Sequence, residues 1–428
     1  MSITGGPLPD SASSGADHVA VRRHNLAVVL RHLRDSGPRS RARVAAETGL
    51  NKATVSSLVS ELAERGLVRE GEAERGSVGR PGQTVVLDGH GICGIGAEVN
   101  VDYVAAMAVD LRGEVVAERR LPLGTSRVGP GPSLDHTARL VAEVTDAFAG
   151  RGGQLVGLTL AVPGLVETAT GTLTTAPNLG WQDVAVVREL STRLGRPPYP
   201  VTVDNEANLA AIAEVTAGKW AGTTDLILLT GAAGVGGGVV SGGRLLRGGH
   251  GFSGEVGHMP VDPAGRRCGC GRTGCWETVI GLAALLADVA DPDDPVRDPS
   301  LDVDARLAEI DRRARLGDGR TLAALRHVGQ WLGIGASILV NVLNPAVLVL
   351  GGYLAAVGEW LRSPLEAELS ARVIAPDAGG CRVELSALGF TAAVRGGAQV
   401  ALESVFNDPT LVRRVDPVVT PLLTGGPS

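Results

Sequence analysis

The stretch GEVGHMPVDPAGRRCGCGRTGCWE, residues 254–277, gathers one histidine and three of the chain's five cysteines into a single glycine-rich run. His258, Cys268, Cys270 and Cys275 supply an imidazole and three thiolates, a closed tetrahedral set for zinc. The glycines between them permit the tight turns that let close neighbours converge on one ion. The competing reading is of reduced cysteines packing beside a histidine. An odd cysteine count with this crowding suits a metal better than a disulfide framework. With all four positions filled by protein, no open position for an activated water remains, so the zinc is expected to be structural. Cys93 and Cys381 stand alone and read as small buried hydrophobes.

Outward from this run, apolar segments alternate with helical ones, the pattern of an α/β fold. Expected strands are 92–97, 104–110, 155–161, 201–204, 226–230, 235–240 and 347–350. The Asp- and Pro-rich stretch 286–305 reads as an exposed insertion, and no repeat of fixed period is visible. A chain of 428 residues accommodates two or three compact units. It shows no apolar run long enough for a bilayer and no signal-like start, so a cytoplasmic protein with no membrane partner is expected.

The N-terminal part differs. Residues 1–17 are small, polar and aperiodic, and read as a disordered tail. Residues 18–88 hold three helical patterns. The first carries Leu26, Val29, Leu30 and Leu33, the second spans about 40–47, and the third is capped by Asn51 with Val55, Leu58, Val59 and Leu62 on one face. Short strands at 66–69 and 84–87 follow, joined by a glycine-rich stretch. This is the order of a winged helix-turn-helix, whose third helix enters the major groove. Its outward positions Lys52, Thr54, Ser56, Ser57 and Ser60 suit phosphates and base edges. Arg39, Arg41 and Arg43 are placed to neutralise phosphates, and Arg80 to enter a minor groove. The alternative is a helical protein-interaction module. Against it, residues 18–88 carry a formal charge of +4, whereas residues 89–428 carry −8 of a total of −6.

Further motifs follow in order: Val162-Pro163-Gly164-Leu165-Val166, Asn178-Leu179-Gly180-Trp181, Asp204-Asn205-Glu206-Ala207-Asn208, Gly234-Val235-Gly236-Gly237-Gly238 and Asn344-Pro345 before Gly351-Gly352. Together with Gly254–His258 and the 268–277 run, they make residues 89–405 resemble the ROK family (repressors, open reading frames, kinases). The head resembles that of the family's repressor branch. The resemblance implies an actin-like, sugar-kinase-like domain of two α/β lobes over 89–410, with a tail at 411–428. It further implies a sugar in the cleft and a homodimer or homotetramer. Asn178, Asn205, Glu206, Glu255, His258 and Glu277 match the residues that hold sugar hydroxyls in family members. Amides and carboxylates supply the directional groups a polyhydroxylated ligand requires. His258 would serve both zinc and ligand.

The nucleotide side departs from the family's kinases. Their Asp-x-Gly-Gly-Thr-Lys turn appears here as Glu98-Val99-Asn100-Val101-Asp102-Tyr103, their Gly-Thr-Gly turn as Ala232-Ala233-Gly234, and their catalytic aspartate as Glu206. Asp102 beside a triphosphate is repulsive, and Glu206 sets its carboxylate one methylene further out. The expected protein is therefore a sugar-responsive transcriptional regulator, a repressor of carbohydrate-metabolism genes that binds an inverted-repeat operator and has no catalytic residues. The alternative is an ATP-dependent sugar kinase with an accessory DNA-binding head.

Overall fold

The computed structural model describes residues 12–73, 83–150, 153–299 and 301–414. Helix α1 (Ala12–Ser36) buries Leu26, Val29, Leu30 and Leu33. It starts inside the stretch read as a tail, because a helix anchored by its packed half propagates outward at little cost. A two-residue strand, β1 (Arg39–Ser40), leads into α2 (Arg41–Thr48), which ends on Gly49 at φ 75. Asn51 then caps α3 (Lys52–Glu64), its side chain accepting from the Thr54 N–H at 2.8 Å. β2 (Val68–Ala73) and β3 (Gln83–Leu87) form the wing, with β1 on the far side of β3. β1 is too short to leave a periodic signal.

The first lobe is a five-stranded sheet in the order β11-β7-β4-β5-β6. It is built from β4 (Ile92–Val99), β5 (Tyr103–Asp110) and β6 (Val115–Pro122), then α4 (Thr125–Val128), α5 (Pro130–Ala149) and β7 (Gln154–Val162). The small sheet β8 (Leu165–Glu167), β9 (Thr172–Ala176) and β10 (Trp181–Val184) follows, with α6 (Val186–Arg193) and β11 (Val201–Asn205). α7 (Glu206–Thr216) crosses to the second lobe, where β12 (Leu226–Gly231), β13 (Val235–Ser241) and β14 (Arg244–Leu245) precede the glycine- and cysteine-rich loop. After it come α8 (Glu277–Ile280), α9 (Leu282–Val289), α10 (Val303–Arg315), α11 (Gly319–Leu343), β15 (Val347–Gly352), α12 (Tyr353–Ala356), α13 (Gly358–Arg372) and β16 (Arg382–Leu385). The second sheet runs β14-β13-β12-β15-β16. In each lobe, three antiparallel strands are extended on the first strand's other edge by two parallel ones. The duplication is one of topology and needs no sequence period. It is the two-lobed actin-like arrangement.

The stretch 286–305 is not simply an exposed insertion. Leu286, Val289, Ala290, Val296 and Val303 are buried in the second lobe's core, while Asp291, Pro292 and Asp293 face solvent. The polar residues dominate the composition and conceal the apolar anchors between them. Cys93 is buried as expected, whereas Cys381 is only partly so.

The last helix, α14 (Ala392–Asn407), returns to the first lobe and lies against β4 and β7 on the face opposite α5. The approach is close: a Cβ on Gly94 or Gly96 would run into the α14 backbone at Ala398 and Val394. The far end of α14 meets the head. Arg34 pairs with Glu403 at 2.8 Å and lies over the Phe406 ring at 4.6 Å. Leu402, Val405, Phe406 and Val412 join Leu26, Leu30, Val55 and Leu62 in one core. Residues 411–414 thus belong to this packing rather than to a tail. Arg65 donates to the Val412 carbonyl at 2.6 Å, and Arg414 pairs with Glu64 at 3.1 Å. Among the described residues no helix is long and apolar enough to cross a membrane.

Candidate functional site

The four residues expected to ligate a metal converge. His258 ends a short turn (Val256–His258), and Cys268 and Cys275 sit on either arm of a tight loop that reverses at Gly271 (φ 87) and Gly274 (φ 75). The Cys268 N–H donates to the Arg272 carbonyl at 2.8 Å, closing the loop. Cys270 Sγ lies 3.7 Å from Cys275 Sγ, and Cys268 Sγ lies 3.7 Å from His258 Nδ1. All four donor atoms fall within 4.8 Å of one another. An ion about 2.3 Å from each sulfur in a tetrahedron separates the sulfurs by about 3.8 Å, a spacing that the set reaches with shifts of about an ångström at most. Trp276, fully buried, donates from Nε1 to the Trp331 carbonyl at 2.8 Å and pins the loop to α11.

His258 faces two ways. Nδ1 turns to the cysteines, and Nε2 lies 3.9 Å from Glu255 Oε2. Glu277, at the start of α8, places Oε1 2.9 Å from Cys268 Sγ and 3.6 Å from His258 Nδ1. Metal loop and cleft therefore share a wall. The cleft between the lobes is lined by Asn178, Asn205, Glu206, Glu255, His258 and Glu277, which the fold brings together from distant parts of the chain. Asn178 and Glu277 both lean over Gly234, where a Cβ would lie 2.5 Å from Glu277 Oε2 and closer still to Asn178 Nδ2. Glu206, the first residue of α7, is half-buried, and its Oε2 is buried with no hydrogen-bond partner. Burial, with repulsion from Glu255 and Glu98, pushes its carboxyl up to about 8. Burial also raises Glu255.

Asn205, besides lining the cleft, holds backbone groups. Its Oδ1 accepts from the Ala207 and Asn208 N–H groups at 2.8 and 3.2 Å, and its Nδ2 donates to the Gly164 carbonyl at 3.1 Å. It caps α7 and so orients Glu206. Asp204 carries no role that its sequence context reveals. It is buried and pairs with Arg247 at 2.6 Å, tying the end of β11 to the segment that leads to Glu255. Arg247 lies on another element 43 residues away, a separation that no periodicity marks.

On the nucleotide side, the β4–β5 turn is filled by its own side chains. Glu98, wholly buried, accepts from Asn100 Nδ2 at 3.1 Å and from the Tyr103 hydroxyl at 2.9 Å, while its Oε2 has no partner. Burial pushes this carboxyl up to about 7, against the pull of the Asn100 and Tyr103 hydrogen bonds and of Arg120. The Tyr103 hydroxyl also lies 3.3 Å from the Phe390 carbonyl, and Arg120 stacks over the Tyr103 ring at 4.2 Å. Arg120 reaches across to α10 of the second lobe, pairing with Asp304 at 2.9 Å. The lobes are thus bridged beside the turn that would hold a triphosphate.

In the head, Lys52, Ser56, Ser57 and Ser60 are exposed along α3, and Thr54 is half-buried. Ser57 Oγ accepts from Arg22 at 3.2 Å, and Ser60 Oγ donates back to the Ser56 carbonyl at 3.0 Å. The arginines are less free than their sequence positions imply. Arg39 and Arg43 both bind Glu47, at 3.0 and 2.7 Å, and Arg41 pairs with Glu70 at 3.2 Å. The Arg43 bond foremost, with His32 and Arg39, draws Glu47 down to about 2. Arg80 lies outside the described residues.

The family model described as the ROK family matches residues 94–404. The chain belongs to the ROK family. A model described as the MarR family matches residues 27–76, the winged head, so this is a ROK chain of the transcriptional-regulator type. The xylose repressor of Bacillus spizizenii is 30% identical over 91% of this chain and 97% of its own length. The crystal structure of a ROK family transcriptional regulator, a homologue of the Escherichia coli MLC protein, superposes with a TM-score of 0.71. It is 23% identical and covers 90% of this chain and 97% of that one. A ROK family glucokinase from Streptomyces griseus, in complex with glucose and AMPPNP, gives a TM-score of 0.62 at 26% identity, over 73% of this chain and 99% of that one. The kinase likeness stops short of the head that the repressor shares.

Proposed function

We propose that this ROK regulator is a cytoplasmic repressor of carbohydrate-metabolism genes, binding an inverted-repeat operator as a homodimer or homotetramer. Its affinity for DNA changes when a sugar enters the cleft. One observation carries the reading: the sugar side of the cleft offers open carboxylates, whereas the phosphate turn is occupied by Glu98, Asn100 and Tyr103. Asn178, Asn205, Glu206, Glu255, His258 and Glu277 hold the sugar hydroxyls, Glu206 Oε2 gaining the partner it lacks in the free protein. Asn205 orients Glu206 through the α7 cap. A zinc ion held by His258, Cys268, Cys270 and Cys275 fixes the loop and the imidazole's orientation, with no open position for water chemistry. No phosphoryl transfer is expected, because the kinases' glycine-lined phosphate turn is replaced by side chains. Lys52, Thr54, Ser56 and Ser57 read the major groove in this proposal, with Arg39 and Arg41 for phosphates and Arg80 for a minor groove. The test is operator binding by the purified protein on duplexes selected from a random pool, with and without sugars, beside ATP consumption with the same sugars. A sugar-dependent change in affinity without ATP turnover is the expected result. Sugar phosphorylation at an enzymatic rate would overturn it.

A further inference from the structure

Resting on the sugar-responsive reading above, we propose that the effector is an unphosphorylated sugar and that the cleft rejects the phosphate ester of the same sugar. Four carboxylates, Glu98, Glu206, Glu255 and Glu277, line one cavity, and no lysine or arginine lines it among the described residues. Glu98 is buried and Glu206 half-buried, and in each one buried oxygen lacks a partner, so these positions suit a ligand's donors rather than its acceptors. A hydroxyl satisfies such an oxygen by donating to it. A phosphate monoester at neutral pH carries nearly two negative charges and only acceptors, and needs a guanidinium, an ammonium or a cluster of N–H groups. The nearby cations are engaged elsewhere. Arg120 is committed to Asp304 and the Tyr103 ring, and Arg247 to Asp204. In the 231–234 turn, the Ala232 N–H donates to the Gly234 carbonyl at 2.9 Å. A carboxylate facing a phosphate within several ångströms in this partly dry cleft weakens binding on the order of tenfold or more.

The experiment pairs each sugar with its own ester: D-xylose with D-xylose 5-phosphate, and D-glucose with D-glucose 6-phosphate. The readouts are thermal shift and operator affinity on the full-length, metal-loaded chain. The sugar of an active pair should act at a concentration at least tenfold below its ester. At about pH 8, where Glu98 is ionised, Glu98→Gln should narrow that ratio by removing one repelling charge while keeping the shape. An ester acting at or below the concentration of its parent sugar overturns this inference but leaves the sugar-responsive reading standing. An unchanged ratio in Glu98→Gln overturns the assignment of the discrimination to this carboxylate. If neither member of any pair moves either readout, the sugar-responsive reading itself fails and this inference with it.

Discussion

Replacing Glu98 by glutamine should make the protein more stable above neutral pH and leave it unchanged in acid. In the fold, burial holds this carboxyl up to about 7 from its ordinary 4.5. A raised acid favours the folded state while protonated, so its contribution is complete below 4.5 and is lost as pH rises to about 7. The loss amounts to about 3 kcal/mol, from about 1.4 kcal/mol for each tenfold change in proton affinity. The glutamine side chain would accept from Asn100 and Tyr103 through its amide oxygen and could not ionise. The groups facing Glu98 are Asn100 and Tyr103 from its own turn, Arg120 from β6, and Glu206 across the cleft, which is repelled by it. Removing Glu98's charge should therefore also lower the Glu206 carboxyl and reduce a second loss that runs up to about 8. The assay is denaturant unfolding of both proteins without sugar at several pH values from about 4.5 to about 8.5. The variant should gain progressively, reaching about 3 kcal/mol at about pH 8. A difference that does not vary with pH, or that favours the wild type more as pH rises, would refute the linkage.

Further outcomes are expected. Cys270→Ser should lower bound zinc, read by elemental analysis, from about one ion per chain. It should also blunt the sugar response at operator DNA, because the same loop carries His258; full response in metal-free protein would count against that coupling. Gly234→Ala should raise the sugar concentration needed for half-maximal response by at least tenfold, since the added carbon collides with Asn178 and Glu277, while sugar-free operator affinity stays near wild type. Ser56→Ala and Ser57→Ala should alter the preferred operator sequence more than the overall affinity, and Arg80→Ala should weaken binding and flatten its salt dependence. Selection from random duplexes and salt titrations measure the two effects.

The head and strands were legible because each obeys a local rule. Asn51 before an apolar face announces α3, and short apolar runs such as Leu226–Leu229, bounded by turn residues, read as buried strands. The metal set was legible because its ligands are close in sequence. What escaped depends on contacts between distant segments. β6 carries Glu118, Arg119 and Arg120 on an edge, so it lacks the apolar signature. The Asp204–Arg247 pair, the Arg120–Asp304 bridge and the burial of Val296 each join residues whose types alone suggest solvent or loop. The cap that Asn205 makes on α7 shows only once β11 and α7 are in place.

The seating of α14 has a mechanical consequence. Ala392 and Ala393 line the sugar cleft, while Phe406 and Asn407, at the other end of the same 16-residue helix, touch α1 of the head. At about 1.5 Å per residue the helix is about 24 Å long, so a tilt of about 5° at the cleft end displaces the other end by about 2 Å. Gly94 and Gly96 leave no gap in which α14 could slip against β4, so the helix and the first lobe turn as one piece. The head, whose apolar core is continuous with theirs, rides on that piece. If the lobes close by a few degrees, the head turns with the first lobe and α3 is re-aimed on an ångström scale.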